Sequence, residues 1–397
     1  MPKLSIRDLD LSGKRAFIRV DFNVPLENGV VTDDTRIRAS LATIQYALDK
    51  GAIAVLASHL GRPKGQPNPK YSLKPVADRL AQVLGQPVAF APDCIGEAAK
   101  SVVDAAARSD GRTILLENLR FHAEEEQNDP GFANALASLA EVYIDDAFGA
   151  AHRAHASVDA ITRFVPKAAA GLLMEQELTY LGRVLASPER PLVAILGGAK
   201  VSDKLALIQN FLDRVDGLII GGAMAYTFLK ARGIPTGRSL VEDDKLDDAR
   251  QIDKKAEARG LQLGLPVDHV VAEKIEAGAA SETLDIGDPN IGNRMGVDIG
   301  PKTIDRYGAM IHDARTVVWN GPMGVFEIPA FSKGTAALAR AVANVKGTTI
   351  VGGGDSIAAI NMAGVGDRIT HISTGGGASL EFLAGRTLPG VEALSER

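Results

Sequence analysis

The chain has 397 residues, a formal net charge of −5, a hydrophobic share of 46% and a charged share of 23%. That length exceeds one ordinary core and implies two domains; the composition is globular, and the acidic balance argues against a general binder of nucleic acid or membrane surfaces. No apolar run is long enough to span a bilayer and Met1–Ser12 is unlike a signal peptide, while the single cysteine, Cys94, excludes an intrachain disulfide and a cage of thiolates, so a cytoplasmic protein is expected.

Apolar, β-branched runs alternate with helical patterns. In chain order the strand-like runs are Ala16–Val20, Ile53–Ala57, Val88–Phe90, Thr113–Leu116 and Val142–Ile144, then Leu192–Leu196, Leu218–Ile220, Val267–Val271, Thr316–Trp319, Thr348–Val351 and Ile369–Ile372. Near-continuous runs of this kind suit parallel strands covered by helices on both faces. Ile37, Leu41, Ile44 and Leu48 keep helical spacing behind Thr32-Asp33-Asp34-Thr35, which offers cap residues, and Leu205, Ile208 and Leu212 repeat the pattern. A helix over Leu172–Leu185 ends at Ser187-Pro188-Glu189-Arg190-Pro191. The expected fold is α/β: two doubly wound, Rossmann-like parallel-sheet domains joined by that helix. The boundary falls at Gly171, giving domains 1–171 and 172–387 and a tail 388–397 after the break at Leu388-Pro389-Gly390. Gly278–Gly300, rich in Gly, Asp and Asn, reads as a long irregular loop.

Four second-half strands run directly into glycines and then into helical patterns. The junctions are Gly197-Gly198-Ala199-Lys200, Gly221-Gly222, Gly352-Gly353-Gly354-Asp355 and Thr374-Gly375-Gly376-Gly377. Glycine permits close approach of backbone to ligand, and the free N–H groups of a helix's first turn attract anions. Four such junctions point to a ligand with several phosphates. Lys200 and Lys204, four apart, are expected on one helix face reaching those phosphates. Asp355 either holds Mg²⁺ bridging phosphates or caps its helix. Trp319–Glu327 either walls a purine, with Glu327 near ribose hydroxyls, or is a core loop.

The first half instead gathers cations at strand ends, where open α/β sheets bind ligands. Asp21 and Asn23 follow the first strand, His59 and Arg62 the second, Arg120 the fourth and His152, Arg153 and His155 the fifth; Arg36 begins a helix. Guanidinium forks suit phosphate or carboxylate. Each arginine alone reads as a surface ion pair, but the set on one rim suggests a small, strongly anionic ligand. Asp145-Asp146 reads as turn capping or an arginine partner, since no G-x-x-x-x-G-K-[ST] accompanies it, and His152 with His155 lacks a third metal ligand.

The runs Arg19-Val20-Asp21-Phe22-Asn23-Val24-Pro25, Ser58-His59-Leu60-Gly61-Arg62-Pro63, Glu117-Asn118-Leu119-Arg120-Phe121, His152-Arg153-Ala154-His155, Gly197–Lys204, Trp319–Gly324, Gly352–Ser356 and Ser373–Ser379 together resemble the phosphoglycerate kinase family in its shorter bacterial form, over essentially the whole chain. The resemblance implies a cleft between two domains and a tail that returns to the first. It implies that Asp21, Asn23, Arg36, His59, Arg62, Arg120 and Arg153 bind 3-phosphoglycerate or 1,3-bisphosphoglycerate. It further implies that Gly198, Ala199, Lys200, Lys204, Gly222, Gly296, Pro322, Glu327, Gly353, Gly354, Asp355 and Ser356 bind MgATP or MgADP, with Asp355 by the metal. A monomer is implied too. The implied reaction is direct phosphoryl transfer between an acyl phosphate and ADP after domain closure, with hinges near Gly171–Leu185, Thr374-Gly375 and Leu388-Pro389-Gly390. Positioning and charge stabilisation carry such a step, for which Arg36, Lys200 and the N–H groups of Gly353-Gly354 and Gly375-Gly376 are the expected catalytic set. No general base is required, so His59 is not assigned one. A dinucleotide-dependent dehydrogenase is disfavoured because no G-x-G-x-x-G opens a helix, and a non-catalytic phosphometabolite binder by the presence of Lys200 with the whole arginine set.

Overall fold

The computed structural model describes residues 3–108 and 111–397. It divides into two compact units, Met1–Thr179 with Thr387–Arg397, and Tyr180–Arg386. The division runs through the helix that follows Gly171.

In unit 1 the elements are β1 (Arg15–Arg19), a short ribbon β2 (Leu26–Glu27) and β3 (Val30–Val31), α1 (Thr35–Ala39), α2 (Leu41–Asp49), β4 (Ile53–Ala57), α3 (Lys74–Leu84), β5 (Ala89–Ala91), α4 (Gly96–Ala106), β6 (Thr113–Leu116), α5 (Ala123–Glu126), α6 (Pro130–Ala137), β7 (Val142–Asp145), β8 (Ala168–Ala170) and the start of α7 (Leu172–Ala186). Six parallel strands form one sheet in the order β5-β6-β4-β1-β7-β8. Every residue of β4 is buried, as expected for a central strand covered on both faces; full burial of such a Val or Leu contributes about 1.5–3 kcal/mol. The helical spacing of Ile37 to Leu48 is realised as two helices broken at Ser40. Asp146 Oδ1 accepts the N–H groups of Leu173 (2.9 Å) and Met174 (3.3 Å), and so caps α7. Gly171 must be glycine there, because a Cβ would run into the Asp146 carboxylate.

Unit 2 contains β9 (Leu192–Leu196), α8 (Leu205–Leu212), β10 (Gly217–Ile220), α9 (Met224–Ala231), α10 (Leu246–Ala258), β11 (Gln262–Gly264), β12 (Asp268–Ala272), β13 (Ser281–Asp285), β14 (Met295–Ile299), α11 (Pro301–His312), β15 (Thr316–Asn320), α12 (Lys333–Ala343), β16 (Thr348–Gly352), α13 (Gly354–Met362), β17 (His371–Ser373) and α14 (Gly377–Leu383). Its parallel sheet has the order β11-β10-β9-β15-β16-β17. Two expectations fail here. The Val267–Val271 run does not join that sheet; as β12 it is the centre of a separate antiparallel sheet, β13-β12-β14. The supposed loop Gly278–Gly300 supplies both its partners. The reason is visible in β14, where Met295, Val297 and Ile299 alternate with Gly296 and Asp298, a strand pattern that the glycine and aspartate obscure, and Asp298 is itself buried.

The last segment belongs to unit 1. Beyond Leu388, α15 (Pro389–Glu392) packs with Gly390 N–H donating to Ala151 O (2.9 Å). Leu4 N–H donates to Ser395 O (2.7 Å) and Ser395 N–H to Ala168 O (2.9 Å), so both chain ends flank β8. Among the described residues no helix is long and apolar enough to cross a membrane.

Candidate functional site

In unit 1, β6, β4, β1 and β7 lie side by side, and their C-terminal ends deliver the sequence-predicted residues to one rim. Arg36 Nη1 lies 2.5 Å from Asp21 Oδ2. Asp21 Oδ1 accepts Asn23 N–H (3.3 Å), Asn23 Oδ1 accepts Gly61 N–H (2.9 Å), and Gly61 O accepts from Arg120 Nη1 (2.9 Å). The chain Arg36–Asp21–Asn23–Gly61–Arg120 is therefore continuous. His59 lies within the field of Arg36 and Arg120, and Arg120 within that of Arg153. Arg62 and Arg153 are exposed; Arg153 Nε donates to His152 Nε2 (3.2 Å), whereas no described contact ties Arg62 to the others.

A buried layer beneath this rim was missed from sequence. Arg19 is wholly buried; its Nε donates to Ser157 Oγ (2.9 Å), Nη1 to Val20 O, and Nη2 to His59 Nδ1 (3.1 Å). Ser157 Oγ donates in turn to Glu125 Oε1 (2.6 Å), and Glu125 is also wholly buried. A buried charge persists only when paired and hydrogen-bonded, and Glu125 offsets Arg19 through Ser157. Because Arg19 is a donor, His59 Nδ1 must accept, which leaves the ring proton on Nε2. Burial, then Arg19, hold the His59 pKa well below the usual value. His59 therefore enters the pocket as a neutral N–H donor, a correction to its place in a patch of cations. His155 behaves likewise: burial and the surrounding arginines lower its pKa to about 3.

In unit 2 a cavity of about 450 Å³ opens between the ends of β9, β10 and β15 and the β14 strand. Seven sequence-predicted residues line it: Gly198, Ala199, Gly222, Gly296, Pro322, Glu327 and Asp355. Sequence reasoning missed Tyr226, Arg238, His269 and Asp298 on the same wall. Tyr226 Oη is 2.9 Å from His269 Nδ1, and Gly296 is glycine because its Cβ would collide with Tyr226. Trp319 is fully buried core, Nε1 donating to Gly321 O (2.7 Å); only the residues after it reach the cavity.

The four glycine junctions divide into two kinds. After β9 and β10 the glycines serve loop against loop: Gly197 N–H donates to Asn320 O (2.9 Å), Gly198 N–H to Pro322 O (3.1 Å), and Gly222 N–H to Met323 O (3.1 Å). A Cβ on Gly197 would strike Pro322 O. These N–H groups are spent, and the expectation that all four junctions present theirs to phosphate is corrected. After β16 and β17 the turns are open. Gly353 (φ +92°) and Gly376 (φ +53°) precede α13 and α14, and a Cβ on Gly354 or Gly376 would meet nothing within 4 Å. Gly375 N–H is taken by Ser373 Oγ (3.3 Å), leaving Gly376 of that pair. Ser356 is buried with Oγ accepting Gly321 N–H (2.6 Å).

Lys200 and Lys204 do not share a helix face. Both precede α8, Lys204 on the turn that leads into it and Lys200 in the irregular stretch before that turn. Lys200 is exposed, whereas Lys204 Nζ donates to Asn320 O (2.8 Å) and Asn320 Oδ1. Burial lowers the Lys204 pKa to about 8, against the pull of Asp355 and Asp203.

The phosphoglycerate kinase family model matches residues 6–386. A phosphoglycerate kinase of Koribacter versatilis is 61% identical, with 100% of each chain covered. The chain belongs to the phosphoglycerate kinase family. A solved phosphoglycerate kinase structure from Coxiella burnetii superposes with TM-score 0.89 at 42% identity, covering 99% of this chain and 98% of that one. One from Pyrococcus horikoshii gives 0.85 at 34% identity, covering 98% of each. For a phosphoglycerate kinase, Asp355 is the carboxylate to test against a metal-bound nucleotide. It is exposed on the first turn of α13, lines the cavity and makes no capping hydrogen bond. A free carboxylate of that kind fits Mg²⁺, which takes one or two carboxylates along with phosphate oxygens.

Proposed function

We propose that this chain catalyses reversible phosphoryl transfer between 1,3-bisphosphoglycerate and ADP, giving 3-phosphoglycerate and ATP. Family membership supports this reaction. The observation that carries the residue roles is the chemical difference between the two units: a linked cationic rim in unit 1 and a glycine-walled cavity in unit 2.

On this reading Asp21, Asn23 and the neutral His59 take hydroxyl and carboxylate groups of the glycerate. Arg36, Arg62, Arg120 and Arg153 take its anionic groups. Gly222, Gly296 and Pro322 lie against adenine, Glu327 holds the ribose, and Lys200, Lys204 and Gly354 face the phosphates, with Gly198 and Ala199 shaping the wall; Ser356, expected among the phosphate contacts, instead supports the Gly321 turn from its buried position. Asp355 would hold Mg²⁺, which would supply neutralisation of phosphate charge. Arg36, Lys200 and the N–H groups of Gly353 and Gly376 stabilise the equatorial oxygens during in-line transfer. The acceptor carboxylate is itself the nucleophile, so no base is needed. His59 is suited to orientation: its Nδ1 already accepts from Arg19. The ligands bind different units, so transfer requires closure, which also excludes water from the acyl phosphate. The protein acts as a cytoplasmic monomer on the same reading.

A coupled assay for ADP formed from ATP and 3-phosphoglycerate, with and without Mg²⁺, tests the proposal. Turnover should depend on both substrates and on Mg²⁺; its absence from a folded sample would overturn it.

A further inference from the structure

Cys94, the single cysteine of the chain, has no part in the transfer reaction. It follows β5 with Asp93 and precedes α4. His122 follows the turn Leu119–Phe121 and precedes α5. The fold brings one carboxylate oxygen, one sulfur and one imidazole nitrogen of these three residues within 4.8 Å of one another. His122 Nε2 lies 2.8 Å from Asp93 Oδ1. The sulfur side is closed, Cys94 being fully buried, but the Asp93 and His122 side chains are 42% and 26% exposed. The trio thus opens to solvent on one side only.

Three donor types converge here on a shielded position. Tetrahedral coordination with bonds of about 2.0–2.3 Å sets donor atoms roughly 3.3–3.7 Å apart, so the 2.8 Å His122–Asp93 contact opens by about 0.5 Å and the wider separations, at most 4.8 Å, close by up to about 1 Å to bring the set onto one ion.

We propose that Asp93, Cys94 and His122 form a second metal site, for a borderline-soft divalent transition ion of the Zn²⁺ class, with water in the open fourth position. Thiolate and imidazole select such an ion over Mg²⁺, which prefers oxygen donors, so the site is distinct in chemistry from the nucleotide's metal. Binding forms one metal–sulfur bond and releases the Cys94 thiol proton to solvent; His122 enters as neutral imidazole, and no electron is transferred. An ion held there ties the loop after β5 to the turn that carries Arg120, whose guanidinium supports Gly61 in the glycerate pocket.

Titrating Co²⁺ into the full chain tests this. With a single cysteine present, any thiolate-to-cobalt charge-transfer band belongs to Cys94. The expected result is a band that saturates at one equivalent, survives excess Mg²⁺, disappears on adding Zn²⁺, and is absent in Cys94→Ser. His122→Asn, at a partly exposed position, guards against misfolding of the buried-cysteine variant and should weaken Co²⁺ binding at least about tenfold. No thiolate band, Co²⁺ signals of oxygen ligation alone, or a band unaffected by His122→Asn would each overturn the proposal.

Discussion

Arg36 is half-buried and held by Asp21, which sets its guanidinium before any ligand arrives. Pre-set charge is what transfer through a loose transition state demands. Arg36→Ala should lower kcat at least about 10²-fold with nucleotide affinity little altered; steady-state kinetics beside a nucleotide titration measure both, and a normal kcat removes Arg36 from the transfer step. The two lysines should separate in a way their spacing did not suggest. Lys204 joins the turn after β9 to Asn320, whose Nδ2 donates to Gly352 O (2.8 Å). Lys204→Ala should weaken nucleotide binding more than 3-phosphoglycerate binding and also lower stability by about 1–3 kcal/mol, because buried acceptors lose their donor. Lys200→Ala, at an exposed site, should affect nucleotide turnover while leaving the denaturation midpoint unchanged. At this scale the rim arginines were legible, since their type and their position after strands are local facts. Arg19, Ser157 and Glu125 were not: their pairing joins residues far apart in sequence, and only the folded sheet puts them in one layer.

Among the elements, α7 carries a titratable cap. Burial raises the Asp146 pKa from 3.8 to about 8 and that of Asp145 to about 7. Between about pH 4 and pH 8 the folded chain therefore keeps protons that the unfolded chain has lost, and stability falls as pH rises through that window. Asp146→Asn retains an acceptor for Leu173 and Met174 but cannot ionise. Its urea midpoint should fall less than that of the parent chain between about pH 5 and pH 8.5; parallel profiles would refute the assignment. The alternatives left open for Asp145-Asp146 resolve toward capping, with Asp145 Oδ1 accepting Ala147 N–H (2.9 Å). The parallel strands were readable because β-branched runs buried on both faces leave a continuous apolar trace. Strand β8 left none, being three alanines. The β13 and β14 strands were hidden for the opposite reason: glycine and aspartate around them signal loops more loudly than Met295, Val297 and Ile299 signal alternation. That loss mattered, since β14 walls the cavity.

For the whole molecule, the proposed ligands are assigned to units that fold around separate sheets. Small-angle scattering should show a smaller radius of gyration when 3-phosphoglycerate and a non-transferring MgATP analogue are bound together than with either alone. An unchanged radius would count against closure. The antiparallel pairing of Lys3 with Glu396, with Ser395 seated between Leu4 and Ala168, makes unit 2 an insertion within unit 1. A ribosome delivering this chain would therefore finish the nucleotide lobe before the glycerate lobe receives its closing strap, and Leu4 would wait for Ser395. Deleting residues 388–397 should accordingly loosen the glycerate lobe selectively, seen as faster amide exchange at Ala168–Ala170 and Ala151 while β9 and β15 stay protected.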